Sequence, residues 1–300
     1  MKFDNKNNLF EIFSENYKKN QNKDFLHFLE NGKYKPLKWE ETNQKINSLS
    51  NFFSENNVIK GDRILLVSEN RPEWLISDLA IINLGAITVP NYTTYTEKDF
   101  SFVIKNCTPK GLIVSNSQLF EKVMSAAKGL SYDFKFVIQF ESGSLSNVKY
   151  YNDIKNSNFA SKDKISRKDP ACIIYTSGTQ GNPKGVILSH GGIISNCEGA
   201  LEIVKKIKKE NFKFLTWLPL SHSYEHTIQF VQIAVGAKIY YSTKIEQLLE
   251  NIKLAKPDIM TAVPRFYNNL YNKMNTGASK ASSIKKWLFF QTVKIGRAVQ

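Results

Sequence analysis

The 300-residue sequence predicts an α/β protein of two lobes, with strands and helices in alternation and mostly parallel sheets. Three observations carry that expectation. Short aliphatic, β-branched runs, such as RILLVS at Arg63 to Ser68 and ACIIY at Ala171 to Tyr175, recur between longer segments of helical periodicity. Apolar residues make up 42% and charged residues 23%. That is ordinary globular usage and excludes disorder, collagen and coiled coil. One stretch, Glu141 to Asp169, loses both periodicities and is rich in Ser, Asn and Lys. It reads as a surface connection between a first lobe over about 1–140 and a second over about 170–300.

The elements follow in order. Leu9 to Lys19 is amphipathic and reads as a helix. Phe25 to Phe28 and Tyr34 to Leu37 form a hairpin around the turn signal Asn31-Gly32. Trp39 to Asn56 is a helix with Leu49, Phe52 and Phe53 on one side. Arg63 to Ser68 is a buried strand, and Pro72 opens a helix where its missing N–H is harmless. A strand from Ala86 is expected to stop at Pro90. There follow a helix at Glu97 to Asn106, a strand at Gly111 to Val114, a helix at Gln118 to Lys128 and a strand at Lys135 to Gln139. The second block reads as a strand at Ala171 to Tyr175, a Gly-rich loop, a strand at Val186 to Ser189 and a helix from His190 to Lys209. A strand at Phe214 to Leu218, a helix after His222, a strand at Ala237 to Tyr241 and a helix at Lys244 to Lys253 come next. A strand at Asp258 to Val263, a helix from Arg265 and a last helix from Ser282 complete it.

Lys plus Arg number 41 against 27 for Asp plus Glu, a net charge of +14. Only Arg63, Arg71, Arg167, Arg265 and Arg297 are arginine, so the surplus is lysine spread along the chain. A nucleic-acid face concentrates its charge, preferably as Arg, so no nucleic-acid partner is expected, whereas small anions are compatible. Cys107, Cys172 and Cys197 are dispersed and form neither a disulfide framework nor a metal knuckle. The N-terminus has no signal-like apolar run, and the most apolar stretch, Trp74 to Pro90, is broken by Asp78, Asn83 and Gly85. A cytoplasmic protein is expected.

The densest chemical signal is YTSGTQGNPKGV, Tyr175 to Val186. Within it Thr176, Ser177 and Thr179 offer hydroxyls, and Gly178, Gly181 and Gly185 let backbone N–H groups close around an anion. Lys184 adds a mobile charge for phosphate oxygens. The order differs from Walker A, because Lys184 follows Pro183 and leads into a strand rather than a helix. A plain hairpin turn rarely needs this many phosphate-friendly groups.

This segment resembles the phosphate-binding signature of the AMP-forming, adenylate-forming superfamily, with Gln180 where that signature has Thr. LPLSHSYEH, Leu218 to His226, resembles a segment of the long-chain fatty acyl-CoA synthetase branch. Val263 to Tyr267 with Tyr271 resembles its following helix start, with Asn268 and Asn269 replacing Glu-Lys. Gly61 to Tyr92 is similar to the first-lobe core. The resemblance implies a long-chain fatty acid–CoA ligase that uses ATP with Mg2+, forms an acyl-adenylate and passes the acyl group to coenzyme A. It assigns Thr176, Ser177, Gly178, Thr179, Gln180, Gly181 and Lys184 to the polyphosphate and His222 to the junction of acyl pocket and nucleotide. Tyr224 and Glu225 become pocket-wall residues. The alternatives are a medium-chain or aromatic carboxylate–CoA ligase, or a catalytically dead nucleotide-binding fragment.

The family's adenine segment, ribose segment and mobile C-terminal lid have no counterpart between Arg265 and Gln300. The resemblance therefore implies an incomplete large N-terminal domain that does not finish the reaction alone and leaves Trp287, Leu288, Phe289 and Phe290 uncovered. Two competing patterns are weaker. His222 to His226 also spells the inverted zincin pattern H-x-x-E-H, but Pro219 stands three residues upstream of it and the pentapeptide stands alone. The lysine run Val204 to Lys209 and the amphipathic Ser282 to Gln300 could meet an anionic membrane peripherally. A solvated lysine face and a core helix are the preferred reading. His27 and His190 receive no role.

Overall fold

The computed structural model describes residues 3–161, 163–176, 183–207, 209–280 and 282–298. The chain separates into two units, Met1–Met260 and Thr261–Gln300. In the first, α1 (Leu9–Asn20) starts at Asn8, whose side-chain oxygen accepts from the Glu11 N–H, and it buries Leu9, Ile12, Phe13 and Asn16 at helical spacing. β1 (Asp24–Glu30) and β2 (Lys33–Lys38) are joined by Asn31 and Gly32, both at positive φ (49° and 75°). That is the backbone a two-residue hairpin turn requires. α2 (Trp39–Glu55) seats Trp39 on Phe25, ring centroids 3.7 Å apart.

β3 (Arg63–Val67), α3 (Pro72–Asn83), β4 (Ile87–Asn91), α4 (Glu97–Cys107), β5 (Gly111–Val114), α5 (Ser117–Lys128) and β6 (Phe136–Gln139) form successive βαβ units. They are followed by β7 (Lys149–Tyr150), β8 (Pro170–Thr176) and β9 (Lys184–Ser189). These strands make a seven-stranded sheet in the order β7-β6-β5-β3-β4-β8-β9, parallel except for β8 against β9. Alternation sorts its residues: Ile64 and Leu66 pack with α2 and α3, while Leu65 and Val67 pack with α4 and α5 on the opposite face. α3 is buried along its length except at Glu73 and touches β4 as well as β1.

The remaining elements are α6 (His190–Val204), β10 (Lys213–Thr216), α7 (Ser223–Ala234), β11 (Lys238–Tyr241), α8 (Leu248–Ala255) and β12 (Ile259–Met260). A five-stranded sheet runs β12-β10-β11-β1-β2, parallel except for the β1–β2 hairpin. The second unit holds α9 (Pro264–Ser279), which buries no residue, and α10 (Ser283–Ala298), on which Trp287, Leu288 and Phe290 are exposed and Phe289 is half-buried. Among the described residues, no helix is long and apolar enough to cross a membrane.

Several sequence-based expectations change. The sheets exchange strands across the division at residues 141–169: β1 and β2 join β10 to β12, while β8 and β9 join β3 to β7. Periodicity is local and carries no information about a strand's distant partner. β4 does not stop at Pro90, because the ladder with β3 continues through Leu66–Pro90 and Val67–Asn91. Proline's fixed φ fits extended chain and removes only a donor. β7, two residues long, is too short to show alternation. α6 gives way at Lys205–Ile207 to a 3-10 turn, and another such turn, Ile245–Gln247, precedes α8. β10 and β12 are shorter than expected.

Candidate functional site

The Gly-rich segment is the connection of the β8–β9 hairpin. Ala171, Cys172, Ile174 and Tyr175 of β8 are buried, and the antiparallel ladder runs up to the pair Thr176–Lys184. Thr176 and Lys184 are exposed and directly opposite one another, so a hydroxyl and an ammonium stand side by side at the mouth of the loop. Ser177, Gly178, Thr179, Gln180 and Gly181 lie outside the described residues.

The strand below the loop is held firmly. The Tyr175 phenol donates to Asn106 Oδ1 of α4 at 2.6 Å, and the Tyr95 phenol donates to the Tyr175 carbonyl at 3.3 Å. Burial pushes the Tyr175 phenol well above its ordinary range, so it stays a donor. Gly185, opposite Tyr175, is needed for space: a Cβ there would lie 3.0 Å from Ile173 Cγ2 and 3.2 Å from Tyr175 Cζ.

LPLSH forms the approach to α7. Its backbone is pinned by Asn70, just beyond β3, whose amide donates to the Leu218 carbonyl (2.8 Å) and accepts from the Leu220 N–H (3.1 Å). Sequence reasoning passed over Asn70, since nothing local marks a side chain that serves a loop 148 residues away. His222 caps α7. Its Nδ1 accepts from the Tyr224 N–H at 3.2 Å, so the neutral ring carries its hydrogen on Nε2, and the side chain is exposed. Tyr224 is 46% exposed, whereas Glu225 is fully buried; the Tyr241 phenol is pushed up by burial, with Glu73 and then Glu225 contributing. α7 is fixed to the sheet beneath it by a closed network. Tyr241 donates to Gln229 Oε1 (2.9 Å), and Gln229 Nε2 donates to Thr216 Oγ1 (3.2 Å) and Gln232 Oε1 (2.6 Å).

The second histidine of H-x-x-E-H has a different environment from the first. His226 is buried, with Nε2 2.8 Å from Asp78 Oδ2 of α3, and Asp78 Oδ1 accepts from Thr88 Oγ1 of β4 at 2.6 Å. Burial opposes a charge on the imidazole, but the Asp78 carboxylate outweighs it and pushes His226 up to about 10. One ring is an exposed cap and the other a buried ion-pair member, which is not the arrangement of two zinc ligands. Among the described residues, no cluster of three or more His, Cys, Asp or Glu is placed to hold a metal ion.

A cleft of about 500 Å³ opens at the carboxyl ends of β3, β5, β6 and β11, lined among others by Asn70, Arg71, Asn116, Glu141, Tyr241 and Lys244. Arg71 lies across it, bonded to both Glu73 oxygens (2.9 and 3.3 Å) and reaching Glu141 at 3.5 Å. Thr176, Lys184 and His222 are not part of its lining.

The description "AMP-binding enzyme" fits residues 13–297. The chain belongs to the AMP-binding enzyme family. Among curated relatives, it is 27% identical over 273 residues to fatty acyl-CoA synthetase A of Dictyostelium discoideum, covering 86% of this chain and 40% of that protein. It is 29% identical over 276 residues to long chain acyl-CoA synthetase 3 of Arabidopsis thaliana, covering 86% and 41%. The chain thus spans about two fifths of the length of these relatives. Among solved structures, it superposes on a long-chain-fatty-acid-CoA ligase from Archaeoglobus fulgidus with a TM-score of 0.77 at 22% identity, covering 90% of this chain and 54% of that one. The anthranilate CoA ligase AuaEII, solved with anthranoyl-AMP, gives 0.75 at 20% identity, covering 84% and 49%. At these identities the two structures establish a shared fold.

Proposed function

We propose that this chain is the phosphate-loop half of an AMP-forming long-chain fatty acid–CoA ligase. The observation that carries the reading is the Thr176–Lys184 pair at the mouth of a loop composed for polyphosphate, in an AMP-binding chain whose sequence relatives bear long-chain acyl-CoA synthetase names. In the first step a fatty-acid carboxylate oxygen attacks the α-phosphorus of ATP. The bond to the bridging oxygen breaks, and pyrophosphate leaves with the electron pair. In the second, the sulfur of coenzyme A attacks the acyl carbon, AMP departs with the C–O electron pair, and the thiol proton passes to solvent.

This chain's part is to position and neutralise. Lys184 offers its ammonium to the β- and γ-phosphate oxygens, and Thr176, Ser177 and Thr179 offer hydroxyls. Gly178 and Gly181 allow backbone N–H groups to approach, and the Gln180 amide replaces a hydroxyl donor with a longer one. His222, with its free N–H on Nε2, serves the junction between acyl chain and nucleotide. Tyr224 belongs to the wall, and buried Glu225 supports that wall from behind. Mg2+ would accompany ATP as the counter-ion of its phosphates.

The test is carboxylate-dependent ATP–pyrophosphate exchange by the full-length protein with palmitate, octanoate and benzoate in parallel. Palmitate should support the fastest exchange. A preference for octanoate or benzoate would move the protein to the medium-chain or aromatic ligases, and nucleotide binding without exchange would make it a binder.

A further inference from the structure

His226 is the point at which four elements meet away from solvent. It sits on α7 one turn after His222, its Nε2 is 2.8 Å from Asp78 on α3, and Asp78 in turn holds Thr88 on β4. Thr88 is the residue of β4 in register with Cys172 of β8, and the Cys172 side chain lies beside the His226 ring. Trp74 of α3 closes the ring from another side, edge-on at 5.3 Å, and Phe230 stands 5.7 Å away. β8 continues from Cys172 to Tyr175 and Thr176, the entrance of the Gly-rich loop. One buried ion pair therefore ties the helix that His222 caps to α3 and, through Asp78 and Thr88, to β4, the strand beside the one that feeds the loop.

We propose that His226 and Asp78 are a positioning pair, which fixes the first turn of α7 relative to β8 so that the group at His222 and the polyphosphate held by the loop meet in reacting geometry. The proposal rests on the ligase reading above and adds to it two residues that touch neither substrate. Three features favour positioning over simple stability. Apart from Asp78 and the Cys172 thiol, the ring meets Trp74 and Phe230, and a hydrophobic pair in place of His226 and Asp78 would keep the burial. The pair is directional, joining one atom of α7 to one of α3, whereas the Gln229–Gln232–Thr216–Tyr241 network already attaches α7 to its own sheet. Asp78 uses its second oxygen on β4, so the register of α7 is referred to the sheet that contains β8. Asp78 favours the cationic form of His226 against the opposition of burial, which strengthens the contact across α7 and α3.

The experiment uses the full-length enzyme with Asp78→Asn, Asp78→Glu and His226→Gln, read by ATP–pyrophosphate exchange and by thermal melting. Misplacement by a fraction of an ångström to an ångström lowers the rate by about ten- to hundredfold without removing any group that binds ATP. Asp78→Asn and His226→Gln should therefore lose kcat by that factor, with the KM for ATP within about twofold of wild type. Asp78→Glu, which restores the carboxylate, should recover most of the rate. If Asp78→Asn does not fold, His226→Gln, which keeps a donor toward Asp78, decides. Losses that merely follow the folded fraction, or an unchanged kcat in folded variants, would overturn the positioning role. Wild-type protein that fails to exchange would instead remove the ligase reading, a result distinct from active wild type with indifferent variants.

Discussion

The two antiparallel hairpins use one architectural device for different ends. β1–β2 and β8–β9 each close the edge of an otherwise parallel sheet. In the first, the closing pair Glu30–Lys33 encloses only Asn31 and Gly32, the shortest link that the right-handed strand twist accepts. In the second, the closing pair Thr176–Lys184 is separated by residues 177–183, rich in glycine and hydroxyls. Turning the chain requires two residues, and the proposed polyphosphate role would use the additional length in β8–β9. The glycines differ too. Gly32 is there for its positive φ with nothing near a Cβ, whereas Gly185 is there because the Tyr175 ring occupies the space.

The largest effect that tests this comparison is the pH dependence of stability. His27 lies in β1, and His190 follows β9 directly with its Nδ1 accepting from the Leu9 N–H at 3.4 Å. Burial holds both imidazoles down, to about 4 from an ordinary 6.5. Between those values the unfolded chain binds protons that the folded chain refuses, so stability falls on acidification. The loss is up to about 3 kcal/mol for each residue. His226 acts in the opposite sense: its contribution is complete below about 6.5 and is lost as pH rises through about 10. Urea midpoints measured from pH 4 to 10 should peak near pH 6.5. His27→Gln and His190→Gln should each flatten the acid limb, and an acid limb that survives both substitutions would show that these residues are not its source.

Next in size is the closing lysine. In the full-length protein, Lys184→Ala should lower kcat/KM for ATP by about ten- to hundredfold, the loss of one charge-assisted contact worth about 1.5–3 kcal/mol. Lys33→Ala, at the equivalent position of the other hairpin, should leave the kinetics unchanged. Both lysines are exposed, so neither substitution should shift the melting temperature appreciably. Equal kinetics for the two variants would erase the functional distinction between the hairpins.

The smallest effect separates the two glycines. Gly32→Ala should destabilise by about 1 kcal/mol through the left-handed backbone, and Gly32→Asn by less, since Asn tolerates that region. Gly185→Ala should destabilise by about 1–3 kcal/mol through crowding of Tyr175 and Ile173, and Gly185→Asn by more. Chemical denaturation of the four variants checks the reversal, in which Asn is the milder change at one site and the harsher at the other.

The sequence by itself determined whatever depends on neighbours along the chain. The apolar spacing of Leu9, Ile12 and Phe13 sets a helix face, Asn31-Gly32 sets a turn, Pro72 sets a helix start, and the composition of residues 175–186 is what the proposed polyphosphate role rests on. Tertiary structure alone decided which distant segments pair. β1 lies beside β11, β4 beside β8, Asn70 braces Leu218 and Leu220, and Asp78 finds His226. His222 and His226 are four residues apart in one motif, yet one is an exposed helix cap and the other a buried cation. Local periodicity and motif spacing repeat over a few residues, whereas burial and ladder partners are set by the collapse of segments far apart in the chain, and those interactions leave no mark in the order of the residues that make them.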